Sequence, residues 1–440
     1  MFQTLRNAWK IDDLRKKMLF TVLIILIFRI GSAVTVPFVD GEALREAMGG
    51  ASNYLMMMSG GGFSTGSIFA LSITPYINAS IIIQLLTVAI PYLERLAKDG
   101  EAGRKKLGQI TRYTTVILGT ILAVAYYLLA RNRGALVAEA KTGFGAWFAA
   151  IVIILCFTAG SALMMWLGEQ INEKGIGNGI SILLFAGILS SIPNAAAYLW
   201  AYFYDWGIRA LQGGDSSGLG WMLKAILVIV LFLAMVAFIV FMGDAERRVP
   251  VQYAKKVVGR KMYGGQNTYI PIKVNMSGVM PIILAVSILG LPGIISSFMA
   301  KVPTEGFWGW FFSAFKEDSW LYIILYFLMI IGFAFFYVTI QYNPIEMANN
   351  LRKNGGAVPG QRPGKPTADY IKRVLNKVTF IGALFLGVIA LFPSLFGKFS
   401  GVQGLTIGGT SMMIVVGVAL ETVQQIESQM MMRHYKGFLD

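Results

Sequence analysis

Few side chains in this chain are suited to chemistry. There is one histidine, His434, near the C-terminal end, and one cysteine, Cys156, inside an apolar run. Neither a zinc site nor a Cys/His nucleophile pair can be assembled from them. Gly60, Gly61 and Gly62 form a run that a phosphate cradle would need, but Phe63 and Ser64 follow where a P-loop carries lysine and a hydroxyl. The run reads as a flexible turn. Paired intramembrane aspartates and proton relays need acids at mid-membrane depth. Glu94 and Glu421 lie only near the ends of apolar runs. An enzyme is therefore the poorest fit, a proton-coupled transporter fits little better, and no cofactor or metal is expected.

Composition sets the elements that would position any site. Hydrophobic residues make up 56% of the 440 residues and charged residues 14%, against about 25% charged in a soluble domain. The net charge is +15, yet there are too few charges to cover a soluble surface. High hydrophobicity and a lone cysteine exclude a disordered or disulfide-built protein. A polytopic membrane protein remains. Residues 142–168, 175–204, 274–300 and 319–345 carry no charge and exceed the roughly 20 residues that a spanning helix needs. Shorter clean runs at 113–130, 225–243, 378–397 and 399–420 also suffice, and 18–36 is interrupted only by Arg29. The uncharged stretch 47–93 is too long for one helix and is broken by glycines and Pro75. It reads as a short re-entrant helix followed by a full span, with irregular backbone that survives only where protein or water satisfies its amides. The expected fold is all-α, with ten transmembrane helices and one broken element.

Charge orients the spans. The loops assigned to one side carry roughly three times as many Lys and Arg as those on the other, which puts both termini in the cytoplasm. Residues 1–17 carry Leu5, Trp9 and Leu14 among charges, as an amphipathic helix on the inner leaflet would. Arg29 lies too deep to snorkel and is expected to pair inside the protein. Two cytoplasmic loops are large and basic. Loop 243–273 alternates Val249, Val251 and Tyr253, then Val257 and Tyr263, which predicts a hairpin; loop 342–373 ends in a tip rich in glycine and proline. They serve either to dock a large cytosolic partner or to set topology against anionic lipid. A sodium-coupled small-solute carrier with a broken helix is the competing reading. It requires a matching broken pair in the second half, and the prolines at 271, 281 and 292 come without a comparable glycine-rich stretch.

The strings FRIGS (28–32), SIFALSITPYINASIIIQLLT (67–87), GEAGRKKLGQITRY (100–113), MWLGEQINEKGIGNGISI (165–182), KVNMSGVMPII (273–283), NPIEMANNLRKNGGAVPGQRPG (343–364) and GGTSMMIVVGVALE (408–421) closely resemble the SecY family, the channel-forming subunits of bacterial protein translocases. The resemblance runs in order over nearly the whole chain, external loops 130–146, 200–220 and 300–319 excepted.

The resemblance implies two pseudo-symmetric five-helix halves, 1–203 and 221–440, joined by an external hinge loop at 204–220. It implies a plug at about 54–69, here Ser59, Gly60, Gly61, Gly62, Phe63, Ser64, Thr65, Gly66 and Ser67. The family's pore ring falls on Ile73, Ile77, Ile180, Leu184, Ile283 and Ile414, with Leu184 standing where the family usually has isoleucine. Branched aliphatics exclude water without directional bonds that would trap a passing chain. A lateral gate would lie between the spans beginning near Pro75 and Val274, with Gln84 and Asn275 able to hydrogen-bond across it. Arg260, Lys261 and Arg362 match loop-tip positions where partners dock. The implied function is passive translocation of secretory polypeptides across the bacterial plasma membrane, with transmembrane segments released into the lipid bilayer. The implied partners are SecE and SecG subunits, the SecA ATPase and the ribosome.

Overall fold

The computed structural model describes residues 2–47, 59, 61–137, 143–204, 208, 217–253, 256–258, 261–263, 267–299, 306–315, 319–400 and 409–436. The chain begins with α1 (Phe2–Trp9), α2 (Asp12–Ala33), α3 (Gly41–Ala47) and the four-residue α4 (Gly62–Thr65). Next come α5 (Thr74–Ala89), α6 (Pro91–Lys98), α7 (Gly100–Asn132), α8 (Gly143–Lys174), α9 (Gly179–Leu189), α10 (Ile192–Phe203) and α11 (Ser217–Asp244). Four strands follow: β1 (Glu246–Tyr253), β2 (Lys256–Val258), β3 (Lys261–Tyr263) and β4 (Asn267–Lys273). The remainder is α12 (Met280–Phe298), α13 (Gly306–Ala314), α14 (Trp320–Gln341), α15 (Pro344–Lys353), β5 (Gly356–Ala357), α16 (Lys365–Ser400) and α17 (Gly409–Lys436).

Among the described residues, five helical stretches are long and apolar enough to cross a membrane: Gly100–Asn132, Phe144–Lys174, Trp221–Asp244, Trp320–Lys353 and Lys365–Phe392. The pair α5–α6 adds a broken span, bent by 103°. The bend has a local cause. Pro91 lacks an amide hydrogen and drives Ile90 out of the helical region, to φ −109° and ψ 114°. The uncharged run 175–204 is likewise divided, at Ser190 and Ser191, whose hydroxyls donate to the carbonyls of Gly187 and Ile188. The expected ten spans are reached when α2, α9–α10, α12 and α17 cross as well.

Helices α2, α5, α8 and α9 share one apolar cluster with α12 and α17. A second cluster joins the turns around α3 and α4 to α7 and α8. A third binds α11, α12, α14, α16 and α17. In the N-terminal segment, α1 packs along α17, and Ala8 is buried with Leu14, Ile176 and Ile426. Arg29 departs from expectation. The buried stripe of α2 runs through Thr21, Ile24, Phe28 and Ser32, which turns Arg29 to the exposed side with Leu26 and Ile30.

The hairpin expected in loop 243–273 is present as β1 and β4, paired antiparallel with Val249 opposite Ile270 and Val251 opposite Thr268. The strand β5 comes from the other large loop and pairs with the far edge of β1, at Gln252 and Tyr253. The sheet order is β4-β1-β5. Because β5 covers only that end, Pro250 sits where the edge of β1 is open and a missing amide is tolerated. Val249, Val251 and Ile272 are buried with Ala348, Leu351, Val358 and Ile371. The two basic loops therefore fold as one body.

Candidate functional site

Ile73 precedes the first turn of α5, and the chain reaches it through Ser72, a non-glycine residue held at φ 51°. That left-handed residue turns the chain from the re-entrant stretch into the helix, a conformation that costs about 1–3 kcal/mol and must be enforced by its surroundings. Ile77 follows one turn later on the same face. Pro75 opens this helix and Pro281 opens α12, each in the first turn, where its missing amide leaves no bond unmade. Ile283 lies just after Pro281. Asn178 caps α9, its Oδ1 accepting from the amides of Ile180 and Ser181, which orients Ile180 and Leu184. Ile414 comes from α17. All six side chains meet in the cluster that joins α2, α5, α8 and α9 to α12 and α17. Ile73, Ile77, Leu184, Ile283 and Ile414 are at most 6% exposed, so a water-sized sphere scarcely reaches them; Ile180 is half-buried.

The stretch Ser59–Ser67, with Gly60 outside the described residues, packs through Phe63 into the second cluster, against α3, α7 and α8. Its short helix α4 is flanked by Gly61 at φ 87° and Gly66 at φ 65°, a conformation that favours glycine. Ser59 Oγ accepts from the amide of Phe63 at 2.9 Å, and Ser64 Oγ donates to the carbonyl of Gly61 at 2.8 Å. Ser59, Ser64 and Ser67 are buried, while Thr65 is half-buried. The serines thus face inward instead of forming a polar surface. Ser67 Oγ has no hydrogen-bond partner among the described residues. Past α4 the chain is stitched to the segment after α2, with the amide of Val36 bonded to the carbonyl of Gly66 and that of Ile68 to Val34.

The pair expected across a gate is not joined. Gln84 is exposed, and Asn275 Oδ1 is buried without a hydrogen-bond partner among the described residues. Helix α12 instead meets the first part of the chain along α7, a neighbour that the sequence reading missed. On α7, Arg112 Nε donates to Glu169 Oε1 of α8 at 2.9 Å.

Between α8, the start of α9 and α17 lies a cavity of about 450 Å³ lined by Asn172, Gly177, Asn178, Glu421, Gln424 and Gln425. Gln424 ties its rim to the sheet: its Oε1 accepts from Lys273 Nζ at 2.7 Å, and its Nε2 donates to Asp244 Oδ1. The sequence reading also missed this mouth, because amide side chains carry no charge signal. On the sheet, Arg248 donates to Glu246 at 2.6 Å, which raises the pKa of its guanidinium, and stacks over Tyr269 at 4.7 Å. Arg362 is exposed, and its carbonyl accepts from Thr367 Oγ1 at 2.8 Å. The backbone of Lys261 lies in β3, whereas Arg260 falls outside the described residues.

A buried apolar cluster shared by six helices, among helices long and apolar enough to cross a membrane, defines a polytopic helical membrane protein. The SecY family profile matches residues 67–423, and this chain belongs to that family. It is 45% identical over 451 residues to the protein translocase subunit SecY of Streptomyces coelicolor, covering 100% of both chains. Two solved structures share the fold. One, reported as showing that the plug domain of the SecY protein stabilises the closed translocation channel and maintains a membrane seal, gives a TM-score of 0.66 at 19% identity over 94% of this chain and 92% of that one. The other, Sec61 in the canine ribosome-channel complex from the endoplasmic reticulum, gives a TM-score of 0.61 at 17% identity, again over 94% of this chain and 92% of that one.

Proposed function

We propose that this protein forms the protein-conducting pore of a translocase, with Ile73, Ile77, Ile180, Leu184, Ile283 and Ile414 as its ring. The carrying observation is that these residues, drawn from α5 and its N-terminal edge, α9, α12 and α17, occupy one buried cluster where two groups of helices meet. Branched side chains seal by excluding water, and they offer a translocating chain no hydrogen bond to linger on. Residues 59–67 act as the plug. The halves 1–203 and 221–440 part around a hinge at 204–220, opening a lateral gate between α5 and α7 on one side and α12 on the other. Released transmembrane segments enter the bilayer there.

The chain supplies no catalytic group for this, so the work comes from partners on the shared cytoplasmic sheet. SecA and the ribosome dock there through Arg260, Lys261 and Arg362, and SecE and SecG complete the complex. The protein resides in the plasma membrane with both termini cytoplasmic. The sodium-coupled carrier loses ground, because α5–α6 is the one sharply bent pair among the described residues and has no counterpart in the second half.

The test is crosslinking. A stalled secretory chain should crosslink to cysteines placed at Ile77 and Ile283, and a stalled signal segment to one at Gln84. A carrier would show no polypeptide crosslinks but saturable uptake of a small solute.

A further inference from the structure

We infer that Tyr126, on α7, is the latch that holds the plug shut; this rests on reading residues 59–67 as the plug. A helix as short as α4 has no stability of its own, since isolated helices below about 12–15 residues are marginal in water. Its position must come from what it touches. The bonds from the Phe63 amide to Ser59 Oγ and from Ser64 Oγ to the Gly61 carbonyl are internal to the stretch and travel with it. The bonds of Gly66 and Ile68 to Val36 and Val34 hold its trailing end, where it pivots. Helix α3 packs beside the moving part, and the moving part's contact with α7 is made at Phe63.

Two contacts meet at that residue. The amides of Gly66 and Ser67 both bond the carbonyl of Gly62, which leaves the Phe63 carbonyl to a partner outside the helix. The Tyr126 hydroxyl donates to it. The Phe63 ring also stands edge-on to the Tyr126 ring, with centroids 4.9 Å apart and planes at 83°. Tyr126 is itself immobilised against Phe157 of α8 at 4.6 Å, and the two residues are 1% and 0% exposed. A rigid donor therefore faces a carbonyl that the short helix cannot satisfy.

The latch also sits on a helix with a second task. Helix α7 packs against α12 and α5, the helices flanking the gate, so the donor that holds the plug stands on a helix of the gate. Tyr126 is a positioning residue: it touches the plug and not the translocating chain.

The experiment uses the full translocase reconstituted in vesicles. Cys156 is the one native cysteine, so a Cys156→Ser, Ser64→Cys background reports plug opening. Ser64 is 5% exposed when the plug is seated and becomes reachable by an impermeant thiol reagent when it leaves. Tyr126→Phe keeps the ring and the packing but removes the donor. It should raise labelling at position 64 and resting ion conductance by about 2- to 13-fold, the factor that one hydrogen bond commands. Phe63→Ala should raise both as well, and adding it to Tyr126→Phe should give less than the product of the two, because both act on one contact. An unchanged labelling rate with Tyr126→Phe, in protein of wild-type abundance and melting temperature, overturns the latch. Deleting residues 61–67 separates the two readings. If the deletion leaves conductance unchanged while Tyr126→Phe speeds labelling, the plug's sealing role fails and the latch stands. If the deletion raises conductance while Tyr126→Phe changes nothing, the plug stands and the latch fails.

Discussion

Replacing Ile283 with serine tests the seal most directly. Its side chain is 6% exposed in the cluster shared by α5, α9, α12 and α17, so nearly all of its apolar surface is withdrawn from water. Burying an isoleucine contributes about 1.5–3 kcal/mol, and that amount of the preference for a dry constriction disappears with it. At about 1.4 kcal/mol per factor of ten, the wetted fraction should rise roughly 10- to 150-fold. Resting ion conductance of the reconstituted complex in planar bilayers reads this directly. Ile180, already half-buried, should give a smaller increase. The control lies on the same helix, where Ile295 is 51% exposed and faces away from the cluster; Ile295→Ser should leave conductance unchanged. If glycine at several ring positions produces no leak, or Ile295→Ser leaks as much as Ile283→Ser, the constriction is not where these residues meet.

Deleting residues 61–67 should raise resting leak yet leave SecA-driven export of a secretory precursor largely intact, because neighbouring backbone can refill the space; an unaltered leak would remove the plug assignment. Charge reversal at Arg362 should abolish SecA-driven export from vesicles and weaken ribosome binding only partly and in a salt-dependent way, since ribosomal RNA contacts spread over many phosphates. Arg362→Lys should impair export too, because an ammonium cannot copy the planar fork of a guanidinium; normal export by the Arg362→Glu protein at wild-type abundance would leave the loop as a topology signal. Asn275→Leu removes a buried acceptor that has no partner among the described residues, and such a group costs about 1–3 kcal/mol. The substitution should hold the gate closed and slow insertion of a transmembrane segment about tenfold or more, measured by glycosylation- or protease-protection kinetics; faster insertion would refute it.

Much of the helical framework was legible without coordinates, because membrane solvation acts on each segment separately. An uncharged run of the right length must bury its backbone bonds within itself, and the runs at 113–130, 142–168, 225–243, 319–345 and 378–397 did so as helices. Alternation was equally local. Val249, Val251 and Tyr253 announced β1 before its partner was known, since a strand with one buried face must repeat every second residue. The break within 47–93 followed from its glycines and Pro75. The ring positions were different. Any single isoleucine in a membrane helix reads as packing or lipid contact, and only the resemblance to a family picked out these six.

Tertiary structure decided whatever depends on which distant residues meet. That Gly356 and Ala357 extend β1 from another loop left no trace in two small residues. Arg29 faces outward because the phase of α2 is set by what Ile24 and Phe28 pack against, and phase is invisible until the neighbours are placed. Asn172, Asn178, Gln424 and Gln425 form a mouth only once α8, α9 and α17 converge. Tyr126 and Phe63 are 63 residues apart, and a tyrosine in an apolar run carries no mark of the carbonyl it will reach. A sequence encodes the solvent preference of each segment along its own length. The pairing of one donor with one acceptor across the fold is set by the packing of every helix between them.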